Sequence, residues 1–133
     1  MKERLEVLIH VRRGDEFLVT HRTPDKGGYW HTIAGGVEQG EEPDAAALRE
    51  LREETGLEAD ALEPIGDFTY VREGWEEKPG LRVHVRAFLA DVGAGWEPAL
   101  NHEHDGYRWR TRDDAMELLF WPEPAQLLLS LGP

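Results

Sequence analysis

One segment of the sequence, residues 35–57, constrains the fold more than any other. It reads GGVEQGEEPDAAALRELREETGL and combines a glycine pair, a short loop and a run of strong helix formers. Pro43 suits the first turn of a helix, and Asp44 suits the positive end of the helix dipole. Gly56 follows the run at the place where a left-handed C-terminal cap belongs. The sequence therefore predicts a helix from Pro43 to Thr55 that is entered through a glycine-containing loop.

Three glutamates of this predicted helix form a repulsive cluster. Glu53 and Glu54 follow Glu50 by three and four residues, so the three carboxylates share one helix face, where like charges cost roughly 0.2–0.5 kcal/mol per pair. Mg²⁺ is a hard cation that binds through a few carboxylates together with substrate phosphates. The cluster therefore predicts a Mg²⁺ site, open also to Mn²⁺, at which more than one ion acts during turnover. In a chain this acidic, the alternative is a solvated surface helix without a metal site. The glycine pair and Arg49, at fixed distances from the glutamates, disfavour this alternative.

These positions resemble the Nudix box, written G-x5-E-x7-R-E-U-x-E-E-x-G-U with U a bulky aliphatic residue. Glu41 lies six residues after Gly35, Arg49 lies eight residues further on and begins the run RELREETGL, and all nine fixed positions are filled. The resemblance implies an α/β fold, the Nudix-type α/β/α sandwich with a mixed β-sheet and a loop–helix unit formed by the box. It also implies a metal-dependent hydrolase that cleaves the diphosphate bond of a nucleoside diphosphate linked to another group.

The glycine pair follows a strand-like run from Trp30 to Ala34. Glycine permits a positive φ and lets a phosphate or a metal approach the backbone closely. By resemblance, the carbonyl of Gly35 is a metal ligand beside the three glutamates, and Glu38 and Glu41 lie on the loop that faces the helix. The substrate-binding residues that we expect are Gly36, Glu38 and Trp30.

Arg49 is expected to orient one of the glutamates, because its fork-shaped guanidinium matches a carboxylate. Two candidates for the catalytic base stay open. One is Glu53, in the part of the helix that Nudix enzymes often use. The other is Glu103, in the run HEHDGYRW, which resembles the late loop that completes the metal site in many of these enzymes. An exposed loop acid is an equal alternative for Glu103, and His102 and His104 are either solvated or in contact with metal or phosphate.

The substrate is less constrained than the reaction. The runs 29–38 and 103–109 are similar to the dihydroneopterin-triphosphate and nucleoside-triphosphate pyrophosphatases of the family, which favours a (deoxy)nucleoside or dihydroneopterin triphosphate. The proline and the tyrosine that mark the ADP-ribose and dinucleoside polyphosphate groups are absent from their places after the box. Tryptophan could stack on a base or pterin, but Trp109 and Trp121 fit a core or an interface equally well. A catalytically silent nucleotide-binding module is the alternative function, although it would have no need to keep repulsive glutamates.

Length and composition agree with a small enzyme. The chain has 133 residues and no cysteine, so we expect a single domain over 1–133 without disulfides, thiolate metal sites or a cysteine nucleophile. A net charge of −12 argues against long nucleic acid as a partner but not against a small metal-bound nucleotide. The sequence contains neither an apolar run of membrane-spanning length nor a signal-peptide pattern. We expect a cytoplasmic protein, and a homodimer is compatible with the sequence.

Periodicity predicts further elements around the box. The expected strands are Leu5–Arg13, Phe17–His21, Ile65–Arg72, Leu81–Val92 and Tyr107–Thr111. The expected helices are Arg112–Phe120 and Pro122–Leu131, and the expected loops are 23–29, 74–80 and 93–104.

Overall fold

A computed structural model describes residues 1–74 and 79–131 of the chain. The strands are β1 (Lys2–Arg13), β2 (Glu16–Arg22), β3 (Trp30–His31), β4 (Ile33–Gly36), β5 (Glu63–Arg72), β6 (Leu81–Val92) and β7 (His104–Thr111). The helices are α1 (Pro43–Thr55), α2 (Arg112–Leu118) and α3 (Pro122–Leu129), and a single 3₁₀ turn covers Pro24–Lys26. The predicted loop 74–80 lies partly outside the described residues.

The strands form one mixed sheet with β1 at its centre. In the described parts of the chain its order is β3-β2-β1-β6-β5, with β4 paired to β1 and β7 paired to β2. β1 and β6 run parallel in register from Lys2 beside Leu81 to Arg13 beside Val92. β4 pairs antiparallel with β1, and Gly35 lies opposite Val7. The box glycines are therefore hydrogen-bonded to the central strand, which fixes the start of the box loop.

The sheet is buried on both faces, because successive side chains of a strand point to opposite sides. Val7, Ile9 and Val11 pack in one core cluster with Ala46 and Leu51 of α1. The alternate residues Leu8 and His10 are also fully buried, and the second face is covered by a cluster from α2 and α3 that includes Ala115, Ala125 and Leu128. These layers confirm the predicted α/β/α sandwich. No helix of the described residues is long and apolar enough to cross a membrane.

Most predicted elements are present, and the different start of β7 has a non-local cause. The predicted helix Pro43–Thr55 and strand Leu81–Val92 match in both bounds. β7 begins at His104 instead of Tyr107, because its first residues pair with the end of β2 across a bulge. α2 and α3 end at Leu118 and Leu129, earlier than predicted. Strand pairing of this kind depends on partners distant in sequence, which periodicity does not reveal.

His10 is a buried titratable group at the centre of the sheet. Its Nε2 donates a hydrogen bond to the carbonyl oxygen of Pro124 over 2.8 Å, which links β1 to α3. The pKa of His10 is lowered from 6.5 to about 4, chiefly because burial disfavours the charged ring. In the unfolded chain the ring takes up a proton at a higher pH than in the folded protein, so acid favours unfolding.

Replacing His10 by Gln should reduce the acid sensitivity of folding. Between pH 7 and pH 5 we expect His10 alone to cost wild type about 2 kcal/mol of unfolding free energy. Gln can still donate to the Pro124 carbonyl but does not titrate. Urea unfolding at both pH values measures the difference, with the exposed His102→Gln as the control that keeps the wild-type slope. An unchanged pH slope in His10→Gln would contradict the assignment.

Candidate active site

Side chains of α1 and β1 lie close against the two box glycines on β4. A Cβ atom on Gly35 would collide with the carboxylate of Glu50, and one on Gly36 would collide with the guanidinium of Arg4. Neither glycine has a positive φ, so the suggestion that the residues serve a left-handed backbone is wrong. A side chain at Gly35 would push the Glu50 carboxylate away from its hydrogen bond with Arg49, so glycine leaves the backbone in contact with that carboxylate.

Arg49 holds the box loop against the helix. Its guanidinium donates to both carboxylate oxygens of Glu41, over 2.9 and 3.0 Å, and to Oε1 of Glu50 over 2.9 Å. It also donates to the carbonyl oxygen of Gly36 over 2.9 Å. The hydrogen bond from Arg49 lowers the pKa of Glu41 to about 2, and the same bond raises the pKa of Arg49. Arg49 thus contacts two glutamates of the box, and its orienting role stays a prediction.

Glu54 and His104 meet inside the protein, and Glu103 lies beside them. Nε2 of His104 is 3.0 Å from Oε1 of Glu54, and both side chains are fully buried. One potential ligand atom from each of Glu54, Glu103 and His104 lies within 4.8 Å of the others. Glu103 is half-buried, so the structure brings it to the box helix as predicted. The reading of His104 as a solvated histidine is wrong, whereas His102 is exposed.

Two backbone hydrogen bonds bring the late loop, residues 93–103, to this position. The N–H of Ala99 donates to the carbonyl of Thr55 at the end of α1 over 2.9 Å, and the N–H of Thr23 donates to the carbonyl of Glu103 over 3.1 Å. The loop is therefore tied both to α1 and to the segment after β2. These contacts hold Glu103 near Glu54 although the two lie forty-nine positions apart in the sequence.

Glu54 fits a divalent cation better than it fits the interior alone. Burial raises its pKa strongly, and the nearby Glu50 and Glu103 raise it further. Repulsion within the glutamate cluster therefore contributes to the raised pKa, but burial is the larger cause. Among the residues that the structure describes, Oε2 of Glu54 has no hydrogen-bond partner. A buried carboxyl with an unpartnered oxygen, next to two more carboxylates, is a donor set that suits a hard cation.

The remaining predicted site residues differ in their placement. Glu53 is half-exposed, and one of its oxygens lies 3.3 Å from Arg49. Glu38 is exposed and lies 3.8 Å from Arg49. Trp30 packs edge-on against His21 and does not line the cleft described next. The roles of these three residues stay predictions.

A cleft of about 850 Å³ opens beside the box glycines. Gly35, Gly36, Glu50 and Glu103 line it at one place, and three arginines line it elsewhere, namely Arg4, Arg22 and Arg72. Tyr29 and Trp121 line a further part, with their ring centroids 5.9 Å apart in an edge-on contact. The cleft thus combines acidic, basic and aromatic groups, which suits an anionic ligand with a planar ring.

Several cleft residues are missed by sequence reasoning. Tyr29 precedes the tryptophan that the sequence favours, but nothing in the pattern tells which of the two aromatic rings faces the cleft. Trp121 is compatible with a core position by sequence, yet it is half-exposed at the cleft. Arg4 and Arg22 occupy strands and carry no recognisable spacing. Only the pairing of the strands reveals that they converge.

Replacing Arg49 by Lys should loosen the box loop. Lys cannot make the two-pronged contact with Glu41 while also reaching Glu50 and the Gly36 carbonyl. We expect a melting temperature lower by roughly 3–5 °C and a reduced turnover. Thermal unfolding measures the first effect, and Arg52→Lys, an exposed change on the same helix, is the matched control. Equal melting temperatures for the two variants would contradict the clamp.

Comparison with known proteins identifies curated relatives over most of the chain. The bis(5′-nucleosyl)-tetraphosphatase [asymmetrical] of Mus musculus is 35% identical over 112 residues, which cover 81% of this chain and 72% of that protein. The CTP pyrophosphohydrolase of Escherichia coli (strain K12) is 31% identical over 120 residues, covering 89% and 83%. A Myxococcus xanthus octanoyltransferase is 37% identical over 112 residues, which make up 80% of this chain but only 30% of that protein.

A solved structure and a family model match the chain over nearly its whole length. The dihydroneopterin triphosphate pyrophosphohydrolase of E. coli superposes with a TM-score of 0.76 at 20% identity, over 96% of this chain and 95% of that one. At this identity the likeness establishes the fold alone. The family model of the NUDIX domain matches residues 2–131. The chain, with a complete box and a cleft beside it, therefore belongs to the Nudix family of hydrolases.

Proposed function

We propose that the protein is a Mg²⁺-dependent pyrophosphohydrolase that cleaves the diphosphate bond of a nucleoside diphosphate linked to another group. One observation carries the proposal: Glu103 from the late loop meets the buried Glu54 of the box helix beside an arginine-lined cleft. Acidic groups that converge on an unpartnered carboxyl oxygen favour a cation. Arginines in the same cleft favour phosphate oxygens.

The residues that would hold the cation are the Gly35 carbonyl, Glu50, Glu53, Glu54 and Glu103. A divalent ion there, either Mg²⁺ or Mn²⁺, would neutralise charge on the phosphate oxygens and would lower the pKa of a bound water. The number of ligands is large enough for more than one ion. Arg49 keeps the Glu50 carboxylate against Gly35 through a hydrogen bond of 2.9 Å. The chain therefore supports the acidic cluster before any ligand arrives.

The protein must also accept a proton from the attacking water. Glu53 and Glu103 are the candidates, because the first is half-exposed and the second lines the cleft. Either carboxylate can take the proton while the water oxygen attacks phosphorus and the second phosphate leaves. Glu54 is a poor base in comparison, since its carboxyl is buried and bonded to His104.

We propose a (deoxy)nucleoside triphosphate or dihydroneopterin triphosphate as the substrate. The planar ring would stack on Tyr29 and Trp121, and the phosphates would contact Arg4 and Arg22. The similarity to a CTP pyrophosphohydrolase supports a nucleoside triphosphate, whereas the similarity to a bis(5′-nucleosyl)-tetraphosphatase favours a substrate with two nucleosides. The net charge of −12 opposes binding of long nucleic acid. A cytoplasmic location belongs to the same proposal, and a homodimer is compatible with it.

The double variant Glu53→Gln, Glu54→Gln should lose at least about 100-fold in kcat/KM. Gln keeps the shape of both side chains, and a neutral group suits the buried position of Glu54, so the fold should persist. Mg²⁺ should raise the melting temperature of wild type but not that of the double variant. The exposed Glu58→Gln is the control that keeps both activity and the Mg²⁺ effect.

A screen of nucleoside and pterin triphosphates, ADP-ribose and dinucleotides with Mg²⁺ identifies the substrate on which wild type and the variants are compared. Turnover at the wild-type rate in the double variant would contradict the assignment of Glu53 and Glu54 as metal ligands. Binding of these compounds without turnover in wild type would favour the silent nucleotide-binding module.

Replacing Tyr29 or Trp121 by Ala should weaken recognition of the ring but not of the phosphates. Loss of one stacking partner should raise KM for the nucleotide by about 10-fold. Hydrolysis of inorganic tripolyphosphate, which has no ring, should be unchanged. Trp30→Ala serves as the comparison, because sequence reasoning assigns that residue to the substrate. A larger KM effect from Trp30→Ala than from the other two variants would refute the stacking surface.

A further inference from the structure

The contact between His104 and Glu54 is unusual for the interior of a small domain. The two side chains come from β7 and α1, and both are fully buried. Their hydrogen bond of 3.0 Å is the polar contact that the His104 ring makes within the described residues, where its Nδ1 has no partner. Leaving a buried polar atom without a partner costs about 1–3 kcal/mol. An apolar residue would fill the same space at less cost, so packing alone does not account for a histidine.

The hydrogen bond leaves one carboxyl oxygen of Glu54 available. A neutral imidazole has one donor nitrogen and one acceptor nitrogen, and a carboxylate only accepts. When a cation holds Glu54 in its ionised form, Nε2 of His104 carries the hydrogen and donates to Oε1 of Glu54. Oε2 has no partner in the described parts of the chain. The bond thus holds one oxygen of the carboxyl group while the other oxygen remains open to a ligand.

We propose that His104 is a positioning residue: it holds Oε1 of Glu54 so that Oε2 meets the cation, and it does not bind the cation itself. The inference rests on the proposed function, in which Glu54 is a metal ligand. The spacing of Glu54, Glu103 and His104 would also permit a direct histidine ligand. However, Nε2 is engaged by Glu54 and Nδ1 is buried within the protein, so a direct bond would require the ring to give up its contact.

Residues outside a metal's own ligands often set ligand orientation, and their loss typically weakens metal binding by 10- to 100-fold. His104 would act in this way from β7, whose first residue it is. Glu103, the residue before His104, ends the late loop. Two adjacent residues therefore serve the site: Glu103 contributes a carboxylate and His104 orients that of Glu54. The structure thereby suggests a role in metal binding for His104, whose role the sequence leaves open.

The test uses two matched variants of the full chain. His104→Gln places an amide N–H where Nε2 donates, whereas His104→Asn is polar but too short to reach Oε1. Mn²⁺ affinity is measured by electron paramagnetic resonance without substrate. We expect His104→Gln to bind Mn²⁺ within about 3-fold of wild type and His104→Asn to bind at least about 10-fold more weakly. Circular dichroism and thermal unfolding establish that both variants are folded.

Pulsed electron paramagnetic resonance on wild type with Mn²⁺ separates positioning from ligation. We expect no directly coordinated nitrogen, and a coordinated imidazole would overturn the inference. Equal Mn²⁺ affinities in the two His104 variants would also overturn it. Glu54→Gln distinguishes the two levels of the proposal: if it binds Mn²⁺ as wild type does, the proposed metal role of Glu54 fails. If it weakens binding while both His104 variants do not, only the positioning role fails.

Discussion

The close contact between the Glu50 carboxylate and the Gly35 backbone is the constraint on which the site depends. A side chain on β4 at this position would push the carboxylate aside, so glycine and the close approach of α1 to β4 preserve the contact. Arg49 makes the approach tolerable, because its guanidinium lies among the carboxylates of Glu41 and Glu50 and compensates their repulsion. A cation of the protein itself thus keeps the acidic cluster compact.

One part of the site comes from a single continuous segment of the sequence, and the other part comes from residues distant in sequence. The box supplies its glycines, Arg49 and glutamates from one continuous segment, whose geometry follows from turn and helix rules. The late loop supplies Glu103 and His104, and its position depends on contacts with Thr55 and with the end of β2. The substrate cleft depends still more on tertiary structure, since its arginines and aromatic rings come from strands and helix ends far apart in sequence.

This division explains what could be predicted from the sequence. The helix Pro43–Thr55 and its glycine cap follow from propensity and capping chemistry, and the orienting contact of Arg49 follows from the box spacing. The burial of His104 could not be predicted, because a histidine in a polar run gives no local sign of the space that α1 leaves for it. The choice between Tyr29 and Trp30 as the ring in the cleft also depends on strand pairing. Glu103 lies between these cases: its segment is recognisable, but its distance from Glu54 is a property of the folded chain.

The parallel ladder between β1 and β6 has a consequence for the order in which the protein folds. Each of its pairs joins residues about eighty positions apart, for example Val7 with Arg86. Closing so long a segment costs chain entropy before any pairing compensates it, and proteins rich in such contacts fold slowly. The box helix can form and re-form on its own well before this closure. His104 begins a strand whose first pairing partner, Arg22, lies about eighty positions earlier, so its approach to Glu54 requires a closure of similar length, and we expect the acidic centre to be completed late in folding.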